Sequence, residues 1–201
     1  MKNIKDEYKS LLNTFLGVHL AIFYIVLFGA SELKLLSEDK FFKGGFLLLL
    51  PILSIVLNGL IPNNIKEFLV FWRFKNRLPG YRAFSIYGQK DSRVDLKALE
   101  NKYPEILKEE FDENKLWYKI YLAYQEYPSV WDAQKNYLFT RDIASLSVYF
   151  VVISFVLEIF FKINLESMWL LIFLEYFILM ISCRVYASKF VTNVLALEST
   201  K

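Results

Sequence analysis

Four long apolar runs, near residues 11–31, 44–64, 142–162 and 167–188, dominate the pattern of hydrophobic and polar positions along the chain. A helix needs roughly 20 mainly apolar residues to cross about 30 Å of hydrocarbon, and each run meets that requirement. The first two runs are joined by a polar stretch from Ser31 to Gly45, and the last two by Lys162 to Ser167. Each pair is therefore expected to be a hairpin. The fold class this predicts is an all-α membrane protein with four transmembrane helices in two hairpins and a helical cytoplasmic insert between spans 2 and 3. Its segments are 1–64 (N-terminal segment and first hairpin), 65–141 (insert) and 142–201 (second hairpin and C-terminal tail).

Within the insert, Pro62 and the pair Pro79-Gly80 mark breaks. The stretch Ile65 to Phe74 reads as an amphipathic or interfacial helix continuing from the second span, with Trp72 at headgroup level. Pro104 opens a new segment, and a helix over about 113–127 sets Trp117, Ile120, Tyr121 and Tyr124 on one face. Pro128 ends it, and the following helix is expected to run unbroken into the third span. The aromatic stripe has two readings, a small core or a face for docking a soluble partner through Trp117, Tyr121 and Tyr124.

Composition agrees with the pattern. Of 201 residues, 55% are hydrophobic and 18% aromatic, and mean hydropathy is +0.31, which disfavours disorder and an ordinary soluble globule. Cys183 is the single cysteine and His19 the single histidine. An intrachain disulfide, a thiolate cluster and the zinc sites of deaminases and proteases therefore lack their parts, and no metal or cofactor is expected.

Charge sets the orientation. Twenty of the 24 basic residues fall on one side of the four runs, leaving Lys34, Lys40, Lys43 and Lys162 on the other, so both termini and the insert are expected to face the cytoplasm. The insert itself is divided: residues 63–93 carry seven basic and two acidic side chains, and residues 94–132 carry five and nine. Trp72, Arg73, Lys75, Arg77 and Arg82 in the basic part either contact anionic membrane lipid or only enforce topology. Direct nucleic-acid binding is not expected, because the aromatics lie in the acidic part rather than with the arginines. A membrane-bound transferase acting on an anionic headgroup lacks a visible nucleophile and base, and phosphate-loop and nucleophile-elbow motifs are absent.

Polar residues inside the runs are the remaining chemistry. At about 1.5 Å per residue, Glu175 falls about 4–5 Å to the outer side of the bilayer centre, level with Tyr24, while His19, Asn58 and Tyr149 come a few ångströms below the centre. An ionisable group at that depth costs at least about 2.5 kcal/mol, so Glu175 is expected to face the bundle interior, a water-filled cavity or another subunit. It serves either as glue bonded to Tyr24 or His19, or as the lining of an ion or proton path. Gly17 and Ala21 form a small-residue pair that lets a second helix approach, the basis for expecting a homo-oligomer.

Two membrane hairpins flanking a compact helical insert, with the run from Phe71 to Ser85 (Phe71-Trp72-Arg73-Phe74-Lys75-Asn76-Arg77-Leu78-Pro79-Gly80-Tyr81-Arg82-Ala83-Phe84-Ser85) on the inner face, resemble the small membrane proteins of bacterial anti-phage defence operons, in particular the membrane subunits of Kiwa systems. That resemblance rests on layout and carries no site residue over. It implies a non-enzymatic inner-membrane sensor or scaffold that self-associates and docks a soluble cytoplasmic effector through the 65–141 insert. The alternative is an oligomeric pore-forming effector or ion channel built on the Glu175 layer.

Overall fold

The computed structural model describes residues 4–28, 56–108, 111–161 and 166–201. Among the described residues every regular element is helical and no strand occurs. Helix α1 spans Ile4–Phe28, α2 Asn63–Phe71, α3 Leu96–Lys102, α4 Glu113–Tyr124, α5 Pro128–Phe161 and α6 Glu166–Ser199. A 3₁₀ turn at Pro79–Arg82 leads into a π-helical turn at Ala83–Gly88, and a second 3₁₀ turn covers Pro104–Leu107. Among the described residues two helices are long and apolar enough to cross a membrane, over Pro128–Phe160 and Met168–Ser199. Most of the second apolar run, with Pro51 and Ser54, lies outside the described residues, as does the Tyr24 side chain.

Local chemistry places the boundaries. The Asp95 carboxylate accepts the Ala98 N–H at 3.0 Å and the Asp112 carboxylate the Lys115 N–H at 3.1 Å, so each caps donors that the first helical turn leaves unpaired. Pro104 forces Tyr103 out of the helical region (φ −130°, ψ 76°), which ends α3. Pro128 stands at the first position of α5, where its missing N–H costs nothing. The expected helix over residues 65–74 is shorter: it stops at Phe71 because Trp72 turns left-handed with φ 53°. Asn76 repeats that conformation at φ 50°, so the chain after α2 does not continue as a helix to residue 74.

The chain divides into two compact units, residues 1–66 with 141–179 and residues 67–140 with 180–201. The last 22 residues, 180–201, cluster with residues 67–140.

In the first unit, Tyr8, Leu12, Leu16 and His19 line the buried face of α1 at helical spacing. Ile143, Ala144, Leu146 and Phe150 of α5 and Met168, Ile172 and Tyr176 of α6 complete that core. Outward positions are apolar as well: Leu11 and Val18 on α1, Val152, Phe155 and Phe160 on α5, and Leu171, Leu174 and Ile178 on α6 are all exposed.

The second unit packs differently. Cys183, Ala187, Phe190, Val191, Val194 and Leu195 form a buried stripe on the last turns of α6. Trp117, Ile120 and Tyr124 of α4 and Val130 and Tyr137 of α5 are also buried there. Trp117 meets Phe190 edge-on at 5.1 Å between ring centres and stacks on Tyr121 at 5.5 Å. Gly80 is required beside them, since a Cβ at that position would stand 2.8 Å from Cε3 of Trp117. The aromatic stripe of α4 is therefore core on one side, and Tyr118 and Leu122 are its exposed neighbours.

Candidate functional site

Two polar assemblies stand out in the first unit, and others follow in the second.

The first joins α1 to α6. His19 Nε2 lies 2.9 Å from Glu175 Oε2, and His19 Nδ1 lies 2.9 Å from the Phe15 carbonyl. A carbonyl oxygen only accepts, so Nδ1 carries a proton and donates it. One further proton then lies between Nε2 and the carboxyl group, on either atom, and the pair is neutral in both arrangements. The imidazole is enclosed by Phe15 at 4.3 Å and by Phe150, on which it stacks at 4.6 Å. Neutrality is what makes an ionisable pair tolerable among apolar side chains. Of the polar layer expected from the sequence, His19 and Glu175 meet. Tyr149 is half-buried and takes no part in these hydrogen bonds.

Asn58 belongs to a second assembly, centred on Asp142. The Asp142 carboxylate is fully buried. Its Oδ2 accepts from Tyr8 Oη at 3.1 Å and Asn58 Nδ2 at 3.0 Å, and its Oδ1 accepts from Lys66 Nζ at 3.3 Å and from Arg141 Nη2 at 3.0 Å and Nε at 3.2 Å. Lys66 also donates to Asn58 Oδ1. Two buried cations thus share one anion, and the hydroxyl and amide fill the remaining lone pairs, as a desolvated ion pair needs. Burial and then the Asp142 charge hold the Tyr8 phenol far above its ordinary value, so it stays a donor. Sequence reasoning missed this cluster, counting Lys66 and Arg141 only as inside charges. Its one visible signal is a carboxylate at the start of an apolar run.

In the second unit, Tyr137 Oη lies 2.8 and 2.7 Å from the two oxygens of buried Glu67. Glu198, on the part of α6 beyond the apolar run that ends near residue 188, accepts from Tyr103 Oη at 2.6 Å and Tyr124 Oη at 2.7 Å and pairs with Lys102 at 2.7 Å. Burial would raise its carboxyl, but those three donors hold it below its ordinary value. Tyr103, in turn, is pushed up to about 12 by burial and by its bond to Glu198.

Around residues 70–87 the arginines gather. Arg184 Nε donates to the Val70 carbonyl at 2.7 Å, Arg77 Nε to that of Arg73 at 2.8 Å, and Arg82 Nη1 to that of Asn76 at 2.8 Å. The Arg184 guanidinium lies over Trp72 at 5.4 Å and that of Arg77 over Phe68 at 5.7 Å. Burial and then the like charge of Arg73 lower the Arg82 guanidinium below its ordinary value. The Tyr87 phenol is raised by burial, against the opposing charges of Arg73, Arg82 and Arg184. Of the basic residues expected at the membrane surface, Arg73, Arg77 and Arg82 share this segment with exposed Trp72, while Lys75 is exposed and apart from these bonds. Sequence reasoning does not anticipate Arg184 there.

The residues expected to dock a partner are mostly used inside the chain. Trp117 and Tyr124 are buried and Tyr121 is half-buried, its hydroxyl donating to Gln134 at 3.0 Å. Trp117 Nε1 donates to the Val191 carbonyl at 3.4 Å. Burial of these rings accords with the small-core reading of the stripe, since an apolar ring gains more from the core at Phe190 than from remaining in water. Gly17 and Ala21 are half-buried beside exposed Val18. Among the described residues no group of His, Cys, Asp and Glu side chains is placed to hold a metal ion.

No protein-family model, curated protein or solved structure matches this chain.

Proposed function

We propose that this chain is a non-enzymatic, four-span scaffold or sensor of a bacterial inner membrane, with its insert and both termini in the cytoplasm. The observation that carries the reading is the exposed apolar surface of α1, α5 and α6 in the first unit, where Leu11, Val152, Phe155, Phe160, Leu171 and Ile178 stand outward on helices whose inward faces are also apolar. In water such a contiguous surface is an aggregation hazard; against lipid tails it is solvated. Of the ionisable groups in that unit, Glu175 is bonded to His19, and Lys66 and Arg141 are paired with Asp142, as hydrocarbon demands.

The second unit has the opposite character, with a buried aromatic core and a mostly polar outside. Its net charge over residues 94–132 is −4, so the soluble partner it would dock presents a basic face. Tyr118 and Leu122, exposed next to the buried stripe, are the contacts we assign to that partner. Self-association through Gly17 and Ala21 and a setting in anti-phage defence complete the proposal, the latter resting on the resemblance to Kiwa membrane subunits.

A pore is the second reading, favoured by one detail: the Glu175 side chain is 35% exposed although its partner His19 is only 9% exposed. Neighbouring copies could gather such carboxyls around an axis.

Two measurements test these readings. Cysteine placed at Ser92 or Ser199 should label only in permeabilised cells, and cysteine at Ser37 or Asn164 in intact ones; labelling of Ser92 in intact cells rejects the topology. Tyr118→Ala with Leu122→Ala should abolish copurification of the soluble partner while membrane expression persists, and conductance of the wild-type chain in liposomes would shift the reading to the pore.

A further inference from the structure

We infer that Arg73, Arg82 and Arg184, with the Tyr87 phenol beside them, form one discrete binding site for a phosphate group, supplied by a phospholipid headgroup of the cytoplasmic leaflet. The choice of a lipid source rests on the membrane reading above; the phosphate chemistry does not.

Several other cations in the chain have an anion of their own. Lys66 and Arg141 share Asp142, Arg93 pairs with Asp91 at 2.7 Å, and Lys102 pairs with Glu198. Among the described residues no carboxylate pairs with Arg73, Arg82 or Arg184. The acid whose charge reaches Arg82 is Glu113, and its Oε2 is occupied by the N–H groups of Phe84 at 2.8 Å and Ser85 at 3.1 Å. Three half-buried like charges are thus gathered with no carboxylate in ion-pair contact among the described residues.

Capping of α2 explains only part of the arrangement. The carbonyls of Val70, at the end of that helix, and Asn76 each take one N–H of a five-donor fork, from Arg184 and Arg82. Those contacts pin the forks and leave their other donors free to point elsewhere. Arg73 Nη1 is buried with no hydrogen-bond partner among the described residues, which capping does not require. A buried unsatisfied donor of this kind calls for an acceptor the chain does not provide.

Tetrahedral phosphate matches that need. Its oxygens accept from several guanidinium forks at once, with geometry a single carboxylate cannot offer. The surroundings favour a lipid as its carrier: Trp72, Phe74 and Leu78 are exposed next to the cluster, Phe74 to 80%. Apolar side chains flanking an arginine cluster suit the boundary between headgroups and acyl chains.

The test uses the full chain in detergent micelles, titrated with short-chain phosphatidic acid, with phosphatidylcholine of the same chain length, and with inorganic phosphate. Saturable binding of one phosphatidic acid per chain is expected, weakened about tenfold or more by Arg73→Gln and by Arg184→Gln and unchanged by Lys75→Gln. Displacement by inorganic phosphate would mean that the site also takes the free ion; its failure would assign the site to the headgroup alone. Equal weakening by Lys75→Gln and Arg184→Gln would overturn the proposal, since binding would then follow net charge only. Where an arginine variant aggregates, wild-type chain treated with phenylglyoxal decides the same question: lipid should protect Arg73 and Arg184, and equal modification with and without lipid overturns the site. Failure of the membrane reading registers separately, as wild-type chain released by carbonate extraction, and leaves the inorganic-phosphate arm intact.

Discussion

His19 and Glu175, 156 residues apart in sequence, meet across α1 and α6 at 2.9 Å with one proton between them. Because the Phe15 carbonyl already takes the other ring N–H, the pair has no arrangement in which both groups are unprotonated at the shared bond without losing it. Glutamine can donate to Nε2 from its amide, whereas leucine cannot. Glu175→Gln should therefore assemble like wild type, and Glu175→Leu should loosen the first unit by about 0.6–2 kcal/mol. Thermal unfolding in detergent reads the difference, and a changed conductance in Glu175→Gln with assembly intact would instead mark an ion path.

Asp142 should be the least tolerant position of the first unit. Asp142→Asn keeps the shape but leaves Lys66 and Arg141 buried without an anion, a change that costs about 3–5 kcal/mol when one partner of a buried ion pair is lost. We expect little membrane-inserted protein from this variant in expression assays. Tyr8→Phe removes a single neutral donor from the same carboxylate and should cost only about 1–2 kcal/mol.

The Glu198 clamp makes the second unit sensitive to acid and to strong base. Its carboxyl is held below the ordinary value of 4.5, so the folded state binds fewer protons than the unfolded chain near that pH. The stabilisation is complete above the ordinary value and is lost as pH falls through the lower, folded value. Tyr103 acts in the opposite sense: its phenol rises from 10.0 to about 12, so its contribution is present below pH 10.0 and fades as pH climbs towards 12. A pH series of unfolding temperatures should show both flanks, and Glu198→Gln should flatten the acid one.

Gly80→Ala tests the close approach of the 79–82 turn to α4. The added methyl group would stand 2.8 Å from the Trp117 ring, so the ring or the turn must move. Overpacking of this kind costs about 1–3 kcal/mol. A shift in tryptophan fluorescence with a lowered unfolding temperature is expected, and an unchanged spectrum would show that the turn yields freely.

Much of the helical plan is legible along the chain because its causes are local. Pro104 and Pro128 start elements, Asp95 and Asp112 cap them, and the spacing of Trp117, Ile120 and Tyr124 announces a buried face before any partner is known. Glu175 stands out as a carboxyl in an apolar run, but depth counting sets it level with Tyr24 and leaves His19 lower in the layer. Whether the aromatic stripe faces the chain's own core or another protein is a matter for tertiary structure, since periodicity marks an apolar face and not what covers it; Phe190, on a helix 73 positions away from Trp117 in the chain, decides it. The Asp142 cluster is illegible for a related reason. Tyr8, Asn58 and Lys66 lie 134, 84 and 76 residues from the carboxylate they share, and a lysine at a span's inner end reads the same in sequence whether it snorkels to water or is drawn inward to a buried anion. Arg184 joins the arginines of the 70–87 segment only because α6 carries it back to Val70, 114 residues away. Hydrophobic length and turn chemistry act between near neighbours, while charge pairing acts across whatever the packed helices bring together.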